Sequence, residues 1–490
     1  MARKDLNVVE TKKIKKFSET IIAILSFVAV SIFPVLFLYF QNADEASFSE
    51  VIDPLVTFSG IGIIFFLFFL IISKSLSKAA IIADLFLLVS LNYALLEKGI
   101  QVIFPGLRYW HVILLGLFVL THMAWFICRM VPDELAQTIS LVICIVFCGL
   151  ILINGVFAIP TIVNKAGMEN KMIDQQESNV EVDSSMPNVY YLLFDEYSSI
   201  DFMKKYYDYD NSEFAEYLLE RGFNLSYNSQ NESIMTSTIT TNYVNLDYVV
   251  TNYTSESEKE YLRHNNLLFK FLKENNYKIT GIGNSDYFGI QSEGDHLDSS
   301  AKTAEGDTLK TILINNTIAY PFFERNYSAN AKFILDSVER LKSLKHEPSS
   351  SQFTLLYIAP SHTPFAFDEN GEMLRTGFTN WEDKRYYLGT YKYTTKLMIE
   401  IVDSILKTDP NSIIVLQSDH SARASTDANL FMKMFDLKDM ANPFNAVYYC
   451  GKPMDISGLS GVNTWRVIVN ELFDKNYSLV EVPIDEYKYK

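Results

Sequence analysis

The chain has 490 residues, 49% of them apolar, and a formal net charge of −16. That length suits two or three domains, and the excess of acid argues against a polyanion such as nucleic acid as a partner. Cys128, Cys144 and Cys148 fall in an apolar first part and Cys450 in a polar second part. The second part therefore has no pair for an internal disulfide, and the spacings are not those of a zinc site.

Most long apolar runs lie before about residue 160. Five of them, near 18–40, 54–73, 79–97, 109–128 and 137–159, approach the ~20 residues that cross a bilayer core of about 30 Å. Asp84 and Asn92 interrupt the third, so a bundle-facing position is expected for them. Arg3, Lys4, Lys12, Lys13, Lys15 and Lys16 precede the first span, Lys74 and Lys78 follow the second, and Arg129 follows the fourth. The loop after the first span carries Asp44, Glu45, Glu50 and Asp53 with no Lys or Arg. By the positive-inside rule the N-terminus is cytoplasmic and, after an odd number of spans, the later part of the chain is extracytoplasmic. The expected organisation is a transmembrane domain over 1–160, a polar linker over 161–186 and a water-soluble domain over 187–490.

From 187 onward, short apolar runs alternate with amphipathic helical patterns. Strands are expected at Val189–Phe194, Lys278–Ile282, Phe353–Ile358, Ser412–Gln417 and Ala446–Cys450, and helices at 211–222, 258–275, 328–345, 383–407 and 463–474. Such alternation predicts an α/β domain with a mostly parallel central sheet flanked by helices. In such sheets, sites form at the carboxyl ends of the strands. Asp195 and Glu196 follow the first strand, His362 follows the run FTLLYIAPS, and Asp419 and His420 follow SIIVLQS. Carboxylates and imidazoles converging there suit Zn²⁺ or Mn²⁺. Taken singly, each has a plainer reading, as a turn, a helix cap or a surface histidine.

The ordered set NVYYLLFDEYSS, Asn231-Glu-Ser-Ile-Met-Thr236, Asn245-Leu-Asp-Tyr248, Ser361-His-Thr-Pro-Phe365, SDH and Val462-Asn-Thr-Trp-Arg466 resembles the membrane-bound sulfatase-like family of the alkaline phosphatase superfamily. That group includes lipoteichoic acid synthases and phosphoethanolamine transferases, which commonly place five transmembrane helices before an extracytoplasmic catalytic domain. The resemblance covers nearly the whole chain. It implies Asp195, Asp419 and His420 as metal ligands, Thr236 as nucleophile, and His362 as a contact to the transferred group or a proton donor to a leaving oxygen. It also implies a divalent metal, Mn²⁺ or Zn²⁺ with Mg²⁺ as a further option, a membrane lipid donor, and a glycan or lipid acceptor. A threonine hydroxyl needs such activation, because it is a poor nucleophile at its free pKa. A phospho-threonine intermediate would then pass its group on.

The chain departs from the family pattern in two places. Asp195 stands where the transferases usually have Glu, and Ser421 stands where glycine is usual. The segment MTSTITTN also offers Ser237, Thr238, Thr240 and Thr241 as rival hydroxyls. No C/S-x-P-x-R motif occurs, which disfavours ordinary sulfatase chemistry. A hydrolase using water as acceptor, and a degenerate domain without activity, stand as alternatives.

Overall fold

A computed structural model describes residues 2–44, 46, 48–104, 107, 109–173, 186–290, 308–319, 327–344, 351–363, 365–374, 384–423 and 433–484. The chain divides into two compact units, Met1–Asn164 with Glu305–Glu324, and Lys165–Ala304 with Arg325–Lys490.

The first unit contains α1 (Ala2–Gln41), α2 (Ser49–Ser73), α3 (Leu76–Leu91), α4 (Tyr93–Ile103), α5 (Tyr109–Met130) and the greater part of α6 (Asp133–Ile173). Among the described residues, four helices are long and apolar enough to cross a membrane: Phe17–Gln41, Ser49–Ser73, Tyr109–Met130 and Asp133–Gly167. The expected count of five is corrected to four. The third segment is broken at Asn92, where the backbone leaves the helical range at φ −120 and ψ 26. The 16 residues of α3 reach about 24 Å, short of a full bilayer core. This short helix is nonetheless the buried element of the unit. Its Ala79, Ala80 and Ala83 let neighbouring backbones approach, and it packs on α1 and α2. Asp84 is fully buried and accepts a hydrogen bond of 2.5 Å from Ser26, the bundle-facing position expected for it. The outward faces expose large apolar side chains, with Ile71 and Phe157 each 78% accessible, which suits a lipid surface rather than water. A later helix, Thr308–Asn316, belongs to this unit and buries Leu309 and Leu313 in its core.

The second unit is built on a sheet in the order β2-β6-β5-β1-β4-β3. The strands are β1 (Val189–Phe194), β2 (Asn224–Leu225), β3 (Lys278–Gly283), β4 (Gln352–Ile358), β5 (Ile413–Gln417) and β6 (Asn445–Tyr449). Central β1 runs parallel to β4 and β5, and β3 runs parallel to β4. The sheet is mixed rather than parallel throughout, because β6 is antiparallel to β5 and β2 to β6. The chain leaves β5 at Gln417 and re-enters β6 opposite it at Asn445, so no crossover helix is needed. Both strands are almost wholly buried, and a fully buried strand carries no sequence signal of direction.

Alternate residues of β1 face opposite layers. Tyr190, Leu192 and Phe194 join a core with Phe333, Ile334, Leu397, Met398 and Ile401. Val189, Tyr191 and Leu193 join another with Ile239, Tyr243, Leu268, Trp465 and Ile468. The five expected strands all occur, and the two-residue β2 is too short to leave a pattern. The expected helix 258–275 is two helices, Glu256–His264 and Leu267–Glu274, the second capped by Asn266, whose side chain accepts from the Phe269 N–H at 2.7 Å. The linker is helical as far as Ile173, and residues 174–185 lie outside the described residues.

Candidate active site

At the carboxyl end of β1 the chain turns sharply. Asp195 leaves the strand with its N–H on the Ile358 carbonyl, and Glu196 adopts φ +59, a left-handed conformation that non-glycine residues rarely hold. At the end of β5 the chain presents Asp419 and His420, both fully buried. Ligand atoms of Asp195, Asp419 and His420 all lie within 4.8 Å of one another. The convergence expected from the strand ends thus occurs between adjacent parallel strands.

Hydrogen bonds orient this cluster. Asp419 Oδ1 accepts from the Glu196 and His420 main-chain N–H groups at 3.0 and 2.9 Å, and Tyr357 donates to Asp195 Oδ2 at 3.1 Å. Burial would raise the Asp419 carboxyl. Neighbouring His420 and the hydrogen bonds from Thr236 and the two N–H groups outweigh that and hold it below the usual carboxylate range. His420 Nδ1 lies 2.8 Å from the Ser421 carbonyl, so that nitrogen carries the hydrogen. In the neutral ring Nε2 then presents a lone pair 3.3 Å from Asp419 Oδ2, and it makes no hydrogen bond among the described residues. Two buried lone pairs so close repel unless positive charge lies between them. Two carboxylates and an imidazole nitrogen, the latter oriented by a carbonyl, fit a divalent cation.

Thr236 is the first residue of the helix Thr236–Asn245 (α9), and its hydroxyl donates to Asp419 Oδ2 at 2.6 Å. The rival hydroxyls are engaged elsewhere. Ser237 donates to Glu256, Thr238 to the Thr251 carbonyl, and Thr240 and Thr241 to the carbonyls of Thr236 and Ser237 one turn back. A helix N-terminus also favours an anion beside Thr236.

His362 has its Nε2 3.9 Å from Glu196 Oε2 and 3.2 Å from an Arg423 nitrogen. Desolvation and Arg423 push its pKa below the usual histidine range, while Glu196 opposes them.

The two outer motifs lock onto one another. Arg466 donates to the Leu246 carbonyl at 2.5 Å and pairs with Asp247 at 2.9 Å, and Tyr248 donates to Ser460 at 2.9 Å. They hold the end of α9 rather than contribute chemistry. Ser421, in the place of the usual glycine, has no positive φ. Its hydroxyl accepts from the Ser199 N–H at 3.0 Å and donates to the Asn442 carbonyl at 2.6 Å.

Sequence reasoning named Glu196 among the strand-end carboxylates but not in the final ligand set, and it passed over Tyr357 and Arg423. Glu196 and Arg423 adjoin chosen residues in DEY and SDHSAR, so proximity in sequence was the available signal. Tyr357 lies inside a strand and gave none. Asn231, noted within its motif, bridges the Tyr243 hydroxyl and the Asp419 carbonyl, each at 2.6 Å.

No family model matches the chain, and no curated protein sequence does. Among solved structures the chain is similar to the C-terminal periplasmic domain of EcEptC from Escherichia coli in complex with Zn, at 14% identity and a TM-score of 0.37, over 61% of this chain and 85% of that one. It is similar to the integral membrane lipooligosaccharide phosphoethanolamine transferase A of Neisseria meningitidis, at 12% identity and a TM-score of 0.39, over 92% and 95%. It is also similar to the lipoteichoic acid synthase LtaP of Listeria monocytogenes, at 13% identity and a TM-score of 0.36, over 65% and 81%. These are the kinds of enzyme that the sequence motifs resemble.

Proposed function

We propose that this protein is a membrane-anchored, metal-dependent phosphotransferase. It moves a phospho-substituent, phosphoglycerol or phosphoethanolamine, from a lipid donor to a cell-surface glycan or lipid through a phospho-threonine at Thr236. The observation that carries this reading is the Thr236 hydroxyl, 2.6 Å from Asp419 Oδ2 at a helix N-terminus, beside the Asp195–Asp419–His420 cluster. Asp195, Asp419 and His420 would hold the divalent metal, Mn²⁺, Zn²⁺ or Mg²⁺. When bound it lowers the pKa of a neighbouring hydroxyl and offsets charge on phosphoryl oxygens. The chain's own groups do the rest. Asp419 orients the Thr236 hydroxyl, the start of α9 favours the anionic group, and His362 meets the transferred substituent.

The reading places the N-terminus in the cytoplasm and the α/β unit outside, on the distribution of Lys and Arg. With four crossing helices the N-terminus and the α/β unit would share a side, and labelling distinguishes the two arrangements. In a background without native cysteines, Asn42→Cys and Glu216→Cys would both label with a membrane-impermeant thiol reagent from the outer side. Labelling from opposite sides overturns this topology.

The activity is tested by intact-mass analysis of the full-length protein in detergent, given phosphatidylglycerol or phosphatidylethanolamine and Mn²⁺ or Zn²⁺. Wild type gains a phosphoglycerol- or phosphoethanolamine-sized adduct, and Thr236→Ala does not. Release of the headgroup phosphate without any adduct would instead favour direct hydrolysis by water.

A further inference from the structure

Two hydrogen bonds determine where the protons of His362 sit. Its Nδ1 lies 2.6 Å from the Thr363 carbonyl oxygen, which only accepts, so Nδ1 carries the hydrogen. Its Nε2 lies 3.2 Å from Nη2 of Arg423, which only donates and keeps its charge, so Nε2 presents a lone pair. The arginine is held at its own backbone, where its N–H donates to Glu196 Oε1 at 2.6 Å. Glu196 in turn is buried in the left-handed turn after β1. A protonated Nε2 would set an N–H against the guanidinium. An imidazole held this way has no proton at Nε2 to give and is ready to take one.

We propose that Arg423 is a positioning residue that fixes His362 in its Nδ1–H tautomer. His362 then acts as the base for the acceptor hydroxyl in the second half of the reaction, not as the acid that protonates the lipid leaving group. This rests on the phospho-threonine reading. In the step, the acceptor oxygen bonds to phosphorus while the bond from phosphorus to Thr236 Oγ breaks. The hydroxyl proton passes to Nε2. The electron pair of the broken bond stays on Thr236 Oγ, which takes up the proton that Nε2 then releases. The sum is transfer of the phospho-substituent from one hydroxyl to another with Thr236 restored. The guanidinium leaves Nε2 for the phosphoryl oxygens once Thr236 is loaded, since charge-assisted bonds to phosphate are stronger than one to a neutral ring.

The test separates loading from discharge in the full-length protein in detergent. The adduct on Thr236 is followed by intact mass with phosphatidylglycerol or phosphatidylethanolamine and Mn²⁺, then its loss after lipid removal, with glycerol or water as acceptor. His362→Gln discharges on the order of 100-fold more slowly, a loss larger than any it shows in loading. A His362→Gln variant that loads slowly and discharges normally overturns the proposal while the phospho-threonine reading stands. Wild type that forms no adduct with either lipid overturns both. A second measurement does not depend on a variant's activity: ¹⁵N spectra of histidine-labelled protein above pH 7, with His362 assigned by difference. They show a bare Nε2 in wild type and mixed tautomers in Arg423→Met, a change that loss of packing at a distance would not produce. A protonated Nε2 in wild type overturns the assignment.

Discussion

At the scale of single residues, the site is defined by which lone pairs and hydrogens point inward. Asp419 is the hub, taking the Thr236 hydroxyl on one oxygen and two main-chain N–H groups on the other. Asp419→Asn replaces an acceptor-only oxygen with an amide donor or leaves the Thr236 hydroxyl misdirected, so transfer is expected to fall by about 100-fold or more. Elemental analysis of the purified protein should find stoichiometric divalent metal that Asp419→Ala and His420→Ala both lose. Metal retained in both variants would place it elsewhere, and its absence from wild type would favour the domain without activity. Ser421→Gly is the opposite kind of change. It removes a hydroxyl that ties Ser199 to Asn442, and should cost about 1–2 kcal/mol in unfolding stability while leaving metal content unchanged.

At the scale of elements, α9 matters most, because its first turn aims Thr236. Its C-terminal end is held by the helix Gly461–Phe473 through Arg466, which is buried and donates to Leu246 and Ser478 carbonyls at 2.5 and 2.7 Å. Arg466→Ala strands two carbonyls and the Asp247 carboxylate, so a loss of about 2–4 kcal/mol in stability is expected, with activity falling alongside it. Denaturant unfolding of the full-length protein checks the first. An Arg466→Lys variant that restores neither stability nor activity would fit the paired geometry, which an ammonium cannot reproduce. Trp465 anchors the same helix on the sheet, packing edge-on to Tyr191 with ring centroids 4.8 Å apart.

At the scale of the whole molecule, two histidines of the α/β unit give stability a sign with pH. His362 and His264 both have pKa values below the ordinary histidine value of about 6.5, chiefly through desolvation. The unfolded chain then binds more protons than the folded one in the window between the lowered values and about 6.5. Stability from these groups is present above that window and is lost as pH falls through it. Thermal unfolding should therefore shift downward as pH drops below about 6.5, and the shift should shrink in a His264→Gln, His362→Gln double variant. An unchanged shift would assign the acid sensitivity to carboxylates instead.

Much of this protein was legible in the chain itself. Apolar runs located the helices of the first unit, and alternation of buried strands with amphipathic helices gave the α/β class, because hydrophobic period is a local property. Asp195, His362, Asp419 and His420 were found at strand ends by the rule for parallel sheets. Three things were decided only in three dimensions. The direction of β6 follows from its pairing with β5, not from its own residues. The break of the third apolar segment at Asn92, where φ is −120 and ψ 26, is a backbone change that hydropathy does not register. The motif pointed to Thr236 among the rival hydroxyls of α9, but its contact with Asp419, 183 residues away, exists only in the fold. Local pattern fixes what each segment can be, but which atoms meet is settled by pairings between segments far apart in the chain.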